Sequence, residues 1–134
     1  MKYPATITDN FTVSFRDIPS IQTCGNDLQD ALDMAHDALI EAIESLIAKH
    51  KLVPLPSKPK KGEHLIELPA SLFTKILLIN ELIKQNVRQA ELARLLNIQP
   101  SKVTRIVNPR HATKINTLQD AFHALGKNLV ITVS

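Results

Sequence analysis

A chain of 134 residues with a net charge of +3 is long enough for one moderate domain or two small ones. Its composition is 44% hydrophobic but only 4% aromatic, so Leu, Ile, Val and Ala must fill most of any core. No run reaches the roughly 18 apolar residues of a membrane helix, the first residues lack a signal-peptide core, and the lone Cys24 cannot form an internal disulfide. We therefore expect a protein of the reducing cytoplasm with no membrane partner.

The charge is distributed unevenly along the chain. Residues 1–70 contain seven basic and ten acidic residues, a net charge of −3, whereas residues 71–134 contain nine basic and three acidic residues, a net charge of +6. A positive field steers a protein toward phosphates and makes its binding fall with salt. We therefore expect nucleic acid to bind the second half of the chain and not the first.

Three short strands are predicted near the start of the chain. Residues 3–8 and 12–15 alternate in the period of strands, and the Asp9-Asn10 pair between them is typical of a turn, so these segments predict a hairpin. A third strand is predicted over 22–24.

A long amphipathic helix is predicted over 28–49, with Asn26 or Asp27 as its N-terminal cap. Apolar residues recur along one face, so this helix is expected to pack against the sheet. A second face has acidic residues spaced by three or four, and they are Asp30, Asp33, Asp37, Glu41 and Glu44. This acidic stripe is either an ordinary solvated surface or a docking surface for a basic partner.

A proline-rich segment follows the long helix. Residues 53–62 (VPLPSKPKKG) contain three prolines, each of which removes a backbone donor and restricts its neighbour, so they predict an extended connector. A fourth strand is predicted over 65–68, closed by Pro69. We place the first domain at 1–69, with the connector inside it, and the second at 70–134.

Residues 88–108 predict two short helices joined by a tight turn, preceded by a buried helix that starts near Ser71. Their apolar residues repeat at helical spacing on one face, and they are Leu92, Ala93, Leu96, Val103, Ile106 and Val107. Asn97 tolerates the left-handed conformation that ends many helices, and Ile98 after it is expected to act as a hydrophobic plug. Pro100 suits the first position of the second helix.

The outward residues of the second helix are hydrogen-bonding types that suit base edges in a major groove. We expect base contacts from Gln99, Ser101, Lys102, Thr104 and Arg105. We expect phosphate contacts from Gln89, Asn108, Arg110 and Lys114. The alternative is an ordinary antiparallel helix pair within a core.

The first of these helices is similar to the helix-turn-helix of the phage-repressor (Cro/Xre) class, whose usual line is Thr-Gln-x-Glu-Leu-Ala followed by a turn Gly. The matching residues are Gln89, Glu91, Leu92 and Ala93. Arg88 replaces the capping Ser or Thr, and Asn97 replaces the turn Gly.

A final helix is predicted to begin at Asn116 or Thr117 and to be ended by Gly126, followed by an isolated strand over 128–133. Leu129, Ile131 and Val133 alternate along this strand, and a single strand is not stable alone. The same strand of a second copy is the simplest partner, so we predict a dimer through residues 128–133. The alternative is pairing with the N-terminal sheet of the same chain.

The order of elements, taken as a whole, resembles the HicB antitoxin family. In the first half the residues that support this resemblance are Tyr3-Pro4, Val13-Ser14-Phe15, Asp17-Ile18-Pro19, Thr23, Gly25, Ala31, Ala35, Ala38, Val53-Pro54-Leu55-Pro56-Ser57 and Ile66-Glu67-Leu68-Pro69. In the second half they are His111-Ala112-Thr113-Lys114-Ile115 and Ala124-Leu125-Gly126-Lys127, which resemble the subfamily with a Cro-type reader.

The resemblance implies an α+β protein with two functions. It implies an N-terminal, truncated ribonuclease-H-like β-β-β-α-β domain that binds a HicA-like toxin, a small basic mRNA-cleaving protein, and covers its catalytic His. It implies a C-terminal helix-turn-helix domain that represses the toxin-antitoxin operon, and we expect this domain to bind palindromic operator DNA as a homodimer that can assemble further.

Two alternatives remain at this point. One is a free-standing helix-turn-helix regulator whose first domain senses a small ligand. The other is a nuclease, which needs several carboxylates converging on Mg²⁺, but the strand region offers only Asp9 and Asp17. The five histidines show no metal-ligand spacing, so we expect no metal, no cofactor and no catalysis.

Overall fold

The chain folds into an α+β structure with four strands and five helices. These elements form where apolar residues recur at strand or helix spacing. The computed structural model describes residues 1–134. Its elements are β1 (Lys2–Ile7), β2 (Thr12–Ser14), β3 (Gln22–Cys24), α1 (Leu28–Ala48), β4 (His64–Glu67), α2 (Ala70–Lys84), α3 (Gln89–Leu96), α4 (Pro100–Ile106) and α5 (Ile115–Ala124). They divide into two compact units, Met1–Ala70 and Ser71–Ser134. Each helix is too short or too polar to cross a lipid bilayer.

The first unit is built on an antiparallel sheet with strand order β3-β2-β1-β4. β1 pairs with β2 on one side and with β4 on the other, where Tyr3 lies opposite Ile66. At the hairpin turn the Phe11 amide donates to the Thr8 carbonyl over 2.9 Å. The predicted hairpin and the third strand are confirmed, and the fourth strand begins and ends one residue earlier than expected.

α1 begins where its capping residues place it. The Asp27 carboxylate accepts the Asp30 amide over 2.8 Å, and the Asp30 carboxylate accepts the Asn26 amide over 2.8 Å, an exchange similar to a capping box. A Cβ atom on Gly25 would lie 2.3 Å from the Ala31 nitrogen. Only glycine fits so close to the helix, so Gly25 allows the tight passage from β3 into α1.

One face of α1 covers the sheet. Its fully buried residues are Ala31, Ala35, Leu39 and Ile43, and the strands and the loop after β2 contribute Tyr3, Ala5, Val13 and Phe15 to the same core. The two alanines are small, so the helix can lie close to the strands. Burial of each of the larger aliphatic side chains contributes about 1.5–3 kcal/mol. The predicted helix is confirmed and ends at Ala48.

Residues 53–62 form neither helix nor strand, but they are fastened to the first unit. Val53 is buried, and the Tyr3 hydroxyl donates to the Pro54 carbonyl over 2.6 Å. The Ser57 amide donates to the Asp17 carboxylate over 3.0 Å. Because the prolines remove donors, side chains of the first unit hold this proline-rich segment in place of a strand ladder. The segment therefore joins α1 to β4 as an attached part of the first unit.

The second unit has a hydrophobic core of its own, to which all four helices contribute. The buried residues of this core are Leu78, Leu82, Leu92, Ala93, Val103, Ile106, Leu118, Ala121, Phe122 and Leu125. Phe122 is the only aromatic residue of this core, in agreement with a composition that is poor in aromatic side chains. α5 begins at Ile115, one or two residues before the predicted start, and is followed by Gly126, whose φ is 73°.

The strand expected over 128–133 is absent from the single chain. Residues 127–134 form neither helix nor strand, and the sheet contains only β1–β4, so the segment does not pair with the sheet of its own chain either. Leu129 packs against the core of the second unit, whereas Ile131 and Val133 are 70% and 97% exposed. A strand needs a neighbour for its donors and acceptors, and the single chain provides none here.

Candidate nucleic-acid interface

α3 and α4 are joined by a short turn whose geometry depends on Asn97. This residue has φ 54° and ψ 49°, the left-handed conformation that Asn tolerates. The Ile98 amide donates to the Ala93 carbonyl over 3.0 Å and the Asn97 amide to the Arg94 carbonyl over 3.2 Å, which is the bond pair of a Schellman motif. Ile98 packs against the core, so the predicted helix stop and hydrophobic plug are confirmed.

α4 is held to the second unit by its apolar face. It begins at Pro100, whose fixed φ suits the first helical position. Arg88 and Gln99 occupy the cap positions of α3 and α4 without a side-chain capping bond. Val103 and Ile106 are buried, so packing holds the helix and its opposite face is directed to solvent.

All nine residues predicted to contact DNA lie at the surface. The residues predicted for base edges are exposed, and they are Gln99, Ser101, Lys102, Thr104 and Arg105. The residues predicted for phosphates are exposed too, and they are Gln89, Asn108, Arg110 and Lys114. The helix pair therefore does not bury its polar residues in a core.

Three contacts within this surface limit its freedom. The Thr104 hydroxyl donates to the Pro100 carbonyl over 3.3 Å and lies 3.5 Å from the Gln89 side-chain oxygen. The Asn108 side chain accepts the Arg110 amide over 2.9 Å, which orders the turn after α4. The surface is therefore partly organised without a ligand.

A groove of about 650 Å³ lies beside the exposed face of α4. Lys102, Arg105 and Lys114 line it, and Asp120 is the one acidic residue of its lining. The hydroxyl of Thr113, also in the lining, is buried without a hydrogen-bond partner. Positive charge prevails in this groove, so it suits an anionic ligand such as a phosphate backbone.

Lys75 in α2 supports this surface from inside, and sequence patterning missed it. Its side chain is 1% exposed, and its ammonium donates to the carbonyls of Arg105 (3.2 Å), Asn108 (2.8 Å) and His111. Burial lowers the pKa of Lys75 below its ordinary value, whereas carbonyl acceptors at a helix C-terminus favour the charged form. The only signal in the sequence is a lysine that interrupts an apolar helix.

The acidic stripe of α1 lies opposite the buried face of that helix. Asp33, Asp37 and Glu41 are exposed, whereas Asp30 and Glu44 are half-buried. Glu41 also borders a cleft of about 220 Å³ between α1 and β3. Asp30 is engaged in the capping bonds at the start of the helix, so the three exposed carboxylates form the negative surface.

Arg16 links the loop after β2 to the proline-rich segment. Its guanidinium donates to the two oxygens of Glu63 over 2.9 and 3.1 Å and to the Ser57 hydroxyl over 2.6 Å. The hydrogen bond between Arg16 and Glu63 raises the pKa of Arg16 and lowers the pKa of Glu63.

Asp17, one of the two acids of the strand region, accepts hydrogen bonds from Ser57. Nowhere do three His, Cys, Asp or Glu side chains meet in an arrangement that could hold a metal ion.

Comparison with known proteins places these two units in one class, the antitoxins of bacterial toxin-antitoxin systems. A family model described as a HicB-like antitoxin of a bacterial toxin-antitoxin system matches residues 2–77. Antitoxin HicB of Escherichia coli is 39% identical over 99% of both chains. Antitoxin HicB 2 of Photorhabdus laumondii is 42% identical over 96% of this chain and 94% of its own. Antitoxin HicB of Pseudomonas fluorescens is 32% identical over 90% and 84%.

The chain therefore belongs to the HicB-like antitoxin family. The family model covers the first unit and the start of α2, whereas the relatives also align with the second unit.

Proposed function

We propose that this protein is the antitoxin of a type II toxin-antitoxin system, which masks a HicA-like mRNA-cleaving toxin and represses its own operon by binding palindromic operator DNA. The DNA-binding part of this proposal depends on one observation. α4 has an exposed, polar and basic face opposite its buried apolar face. Family membership supports the toxin half. The proposal includes no catalytic step and no cofactor, and it places the protein in the cytoplasm.

In this proposal α3 and α4 form a helix-turn-helix, and α4 enters the major groove. Lys102 and Arg105 are the side chains suited to guanine, because O6 and N7 of that base accept from cationic donors. Gln99, Ser101 and Thr104 donate and accept, so they can contact other base edges from the same face.

The phosphate contacts come from residues around α4. Gln89 lies at the start of α3, and Asn108, Arg110 and Lys114 lie in the loop between α4 and α5. With a net charge of +6 on residues 71–134, this unit is expected to release counterions on binding, so its affinity falls as salt rises.

A homodimer through the C-terminal segment supplies the second reading helix. Leu129, Ile131 and Val133 alternate along residues 128–133, and the last two are exposed apolar side chains. Pairing with the same segment of a second copy would give the main-chain donors and acceptors of both strands hydrogen-bond partners. A two-fold axis then places two copies of α4 one DNA turn apart, which matches a palindromic operator.

The first unit is the toxin-binding unit of the proposal, with the truncated ribonuclease-H-like fold that the family resemblance implies. Its net charge is −3, and the acidic stripe includes three exposed carboxylates, Asp33, Asp37 and Glu41. A basic toxin is electrostatically complementary to this surface, which raises the association rate and selects against acidic partners.

The DNA half is tested by selecting duplexes from a random library with the full chain and then measuring binding of Arg105→Ala. We expect the wild-type chain to select a palindrome, and the variant to lose about 1–3 kcal/mol of binding free energy and to tolerate other bases at one position of each half-site. Arg94→Ala is the matched control, because Arg94 is an exposed arginine of α3 outside the predicted surface. An equal loss on scrambled DNA would assign Arg105 to the phosphate backbone alone.

The toxin half is tested by co-expression with the small basic protein expected to be encoded beside this gene. We expect the two chains to copurify, and the combined variant Asp33→Asn, Asp37→Asn, Glu41→Gln to bind the toxin at least about tenfold more weakly, because charge complementarity is lost. Glu67→Gln, an exposed acid of β4, is the matched control. Copurification of a metabolite in place of a basic protein would favour the ligand-sensing regulator.

A further inference from the structure

The buried ammonium of Lys75 lies where α4 ends. It contacts three main-chain carbonyls, those of Arg105 in the last turn of α4 and of Asn108 and His111 in the loop that follows. The three carbonyls use all three N–H donors of the ammonium. One side chain of α2 therefore fixes both the end of α4 and the course of the chain beyond it.

α4 depends strongly on such support. It is seven residues long, well below the length at which a helix is stable by itself, and Gln99 provides no side-chain cap at its start. The last carbonyls of any helix lack partners within the helix. Lys75 gives the Arg105 carbonyl a second donor beside the Asn108 amide, and a cation at this end of a helix also interacts favourably with the helix dipole.

The residues that Lys75 holds by their main chain are residues expected to meet DNA by their side chains. Arg105 is predicted to contact a base edge, and Asn108 and the adjacent Arg110 are predicted to contact phosphate. The Asn108 carbonyl also accepts the His111 amide over 3.1 Å, so the ammonium is part of a closed network of hydrogen bonds around this turn.

We propose that Lys75 is a positioning residue for DNA recognition, because its ammonium holds the end of α4 and the loop 108–111 in the arrangement that aligns Arg105 with a base and Asn108 with a phosphate. This inference rests on the proposed DNA-binding function. Lys75 itself touches no DNA, since its side chain is 1% exposed. Lys75 supplies no phosphate contact of its own. Its loss is therefore expected to weaken the Arg105 base contact, which only the selected duplex offers, more than the Asn108 phosphate contact, which every duplex shares.

The test compares the wild-type chain with Lys75→Met, which keeps the length of the side chain and removes the ammonium. The probes are the duplex that the wild-type chain selects from a random library and a scrambled duplex of the same composition. We expect the variant to lose affinity for the selected duplex by on the order of tenfold, as for the loss of one good base contact. The loss for the scrambled duplex should be clearly smaller, because that duplex shares only the phosphate contacts. Lys84→Met removes the same charge from an exposed position of α2 and should leave the ratio of the two affinities unchanged.

A chemical rescue separates positioning from folding. In a Cys24→Ser background, Lys75→Cys is unfolded, alkylated with 2-bromoethylamine and refolded; the thiolate displaces bromide, and the new C–S bond attaches an aminoethyl group that restores an ammonium at this position. We expect the alkylated chain to regain the affinity ratio of the wild-type chain, and the refolded but unalkylated chain to resemble Lys75→Met.

Each outcome has a definite meaning. If the wild-type chain selects no duplex, the proposed DNA-binding function fails and this inference fails with it. If the wild-type chain selects a duplex and Lys75→Met binds both probes with the wild-type ratio, only the positioning role is overturned. A chain that folds only with an ammonium at position 75 would assign Lys75 to folding and would also overturn that role.

Discussion

Tyr3 joins the sheet of the first unit to its proline-rich segment. The side chain is fully buried, and its hydroxyl donates to the Pro54 carbonyl over 2.6 Å. Burial, with a smaller contribution from the negative charge of Asp17, raises the pKa of Tyr3 from its ordinary value of 10.0 to about 12. The folded state therefore favours the neutral, protonated form of Tyr3.

The raised pKa of Tyr3 predicts a loss of stability in alkali. Because the folded pKa lies above the unfolded one, the contribution to stability is complete below about pH 10 and is lost as the pH rises through 12, an effect of about 2–3 kcal/mol. Urea unfolding followed by circular dichroism at a series of pH values measures this loss.

Tyr3→Phe isolates this effect from other groups that titrate in alkali. At about pH 8 the variant should be less stable by ~1 kcal/mol, because a hydrogen bond is lost, and near pH 12 the order of stability should reverse. A difference that stays constant across this range would show that Tyr3 does not titrate as its burial requires.

Lys75 shows why some functional residues are not visible in a sequence. Apolar periodicity predicts a buried helix for α2, and a lysine in such a helix is expected to reach solvent. Its acceptors lie 30 to 36 residues further along the chain, so only the folded structure brings them to the ammonium.

The α3–α4 turn makes a testable contribution to stability at the scale of whole elements. Asn97 adopts φ 54°, which costs an ordinary residue about 1–2 kcal/mol and glycine almost nothing. We therefore expect Asn97→Ala to lower the free energy of unfolding by about 1 kcal/mol, and Asn97→Gly to match or exceed the wild-type chain. Urea titration of each variant measures the difference.

Asn116→Ala provides the control for this substitution, because Asn116 is an exposed residue in the first turn of α5. Its free energy of unfolding should change by less than about 0.5 kcal/mol. Equal stability of Asn97→Ala and Asn97→Gly would contradict the role assigned to the left-handed turn.

Local signals predict most of the elements of this chain. The hairpin, the strand over 22–24 and the helix α1 follow from periodicity and capping, and the turn at Asn97 follows from the conformations that Asn tolerates. The same local signals do not predict contacts between distant segments. The bonds from Ser57 to Asp17 span 40 residues, and nothing in the proline-rich segment itself indicates that it is fastened to the first unit.

The sequence also predicts one part of the candidate site and not the other. The exposed face of α4 follows from helical periodicity, because its apolar residues define the buried side. The groove beside it depends on how α4, α5 and the loop between them pack, which no local pattern determines. The function of each exposed residue stays a prediction until a DNA complex is measured.

At the scale of the molecule, residues 128–133 predict the assembly state. Ile131→Pro removes a main-chain donor that a paired strand needs, so we expect this variant to be a monomer at concentrations where the wild-type chain is a dimer. Sedimentation equilibrium measures the mass, and the affinity of the variant for a palindromic duplex should fall toward that for a single half-site.

Ile131→Val is the matched control, because valine keeps the donor and an apolar side chain and favours strands. It should remain largely dimeric. A proline variant that stays a dimer would place the interface outside this segment. That result would not affect the DNA contacts of α4, which the Arg105→Ala experiment tests.

The two units also differ in how they absorb light. The chain contains one tyrosine and no tryptophan, and that tyrosine is buried in β1 of the first unit. The phenol chromophore therefore reports on the first unit alone, while the second unit contributes only weak phenylalanine bands. Near-ultraviolet spectra of the intact chain, read beside a signal from the whole backbone, can show whether one unit melts before the other without any label.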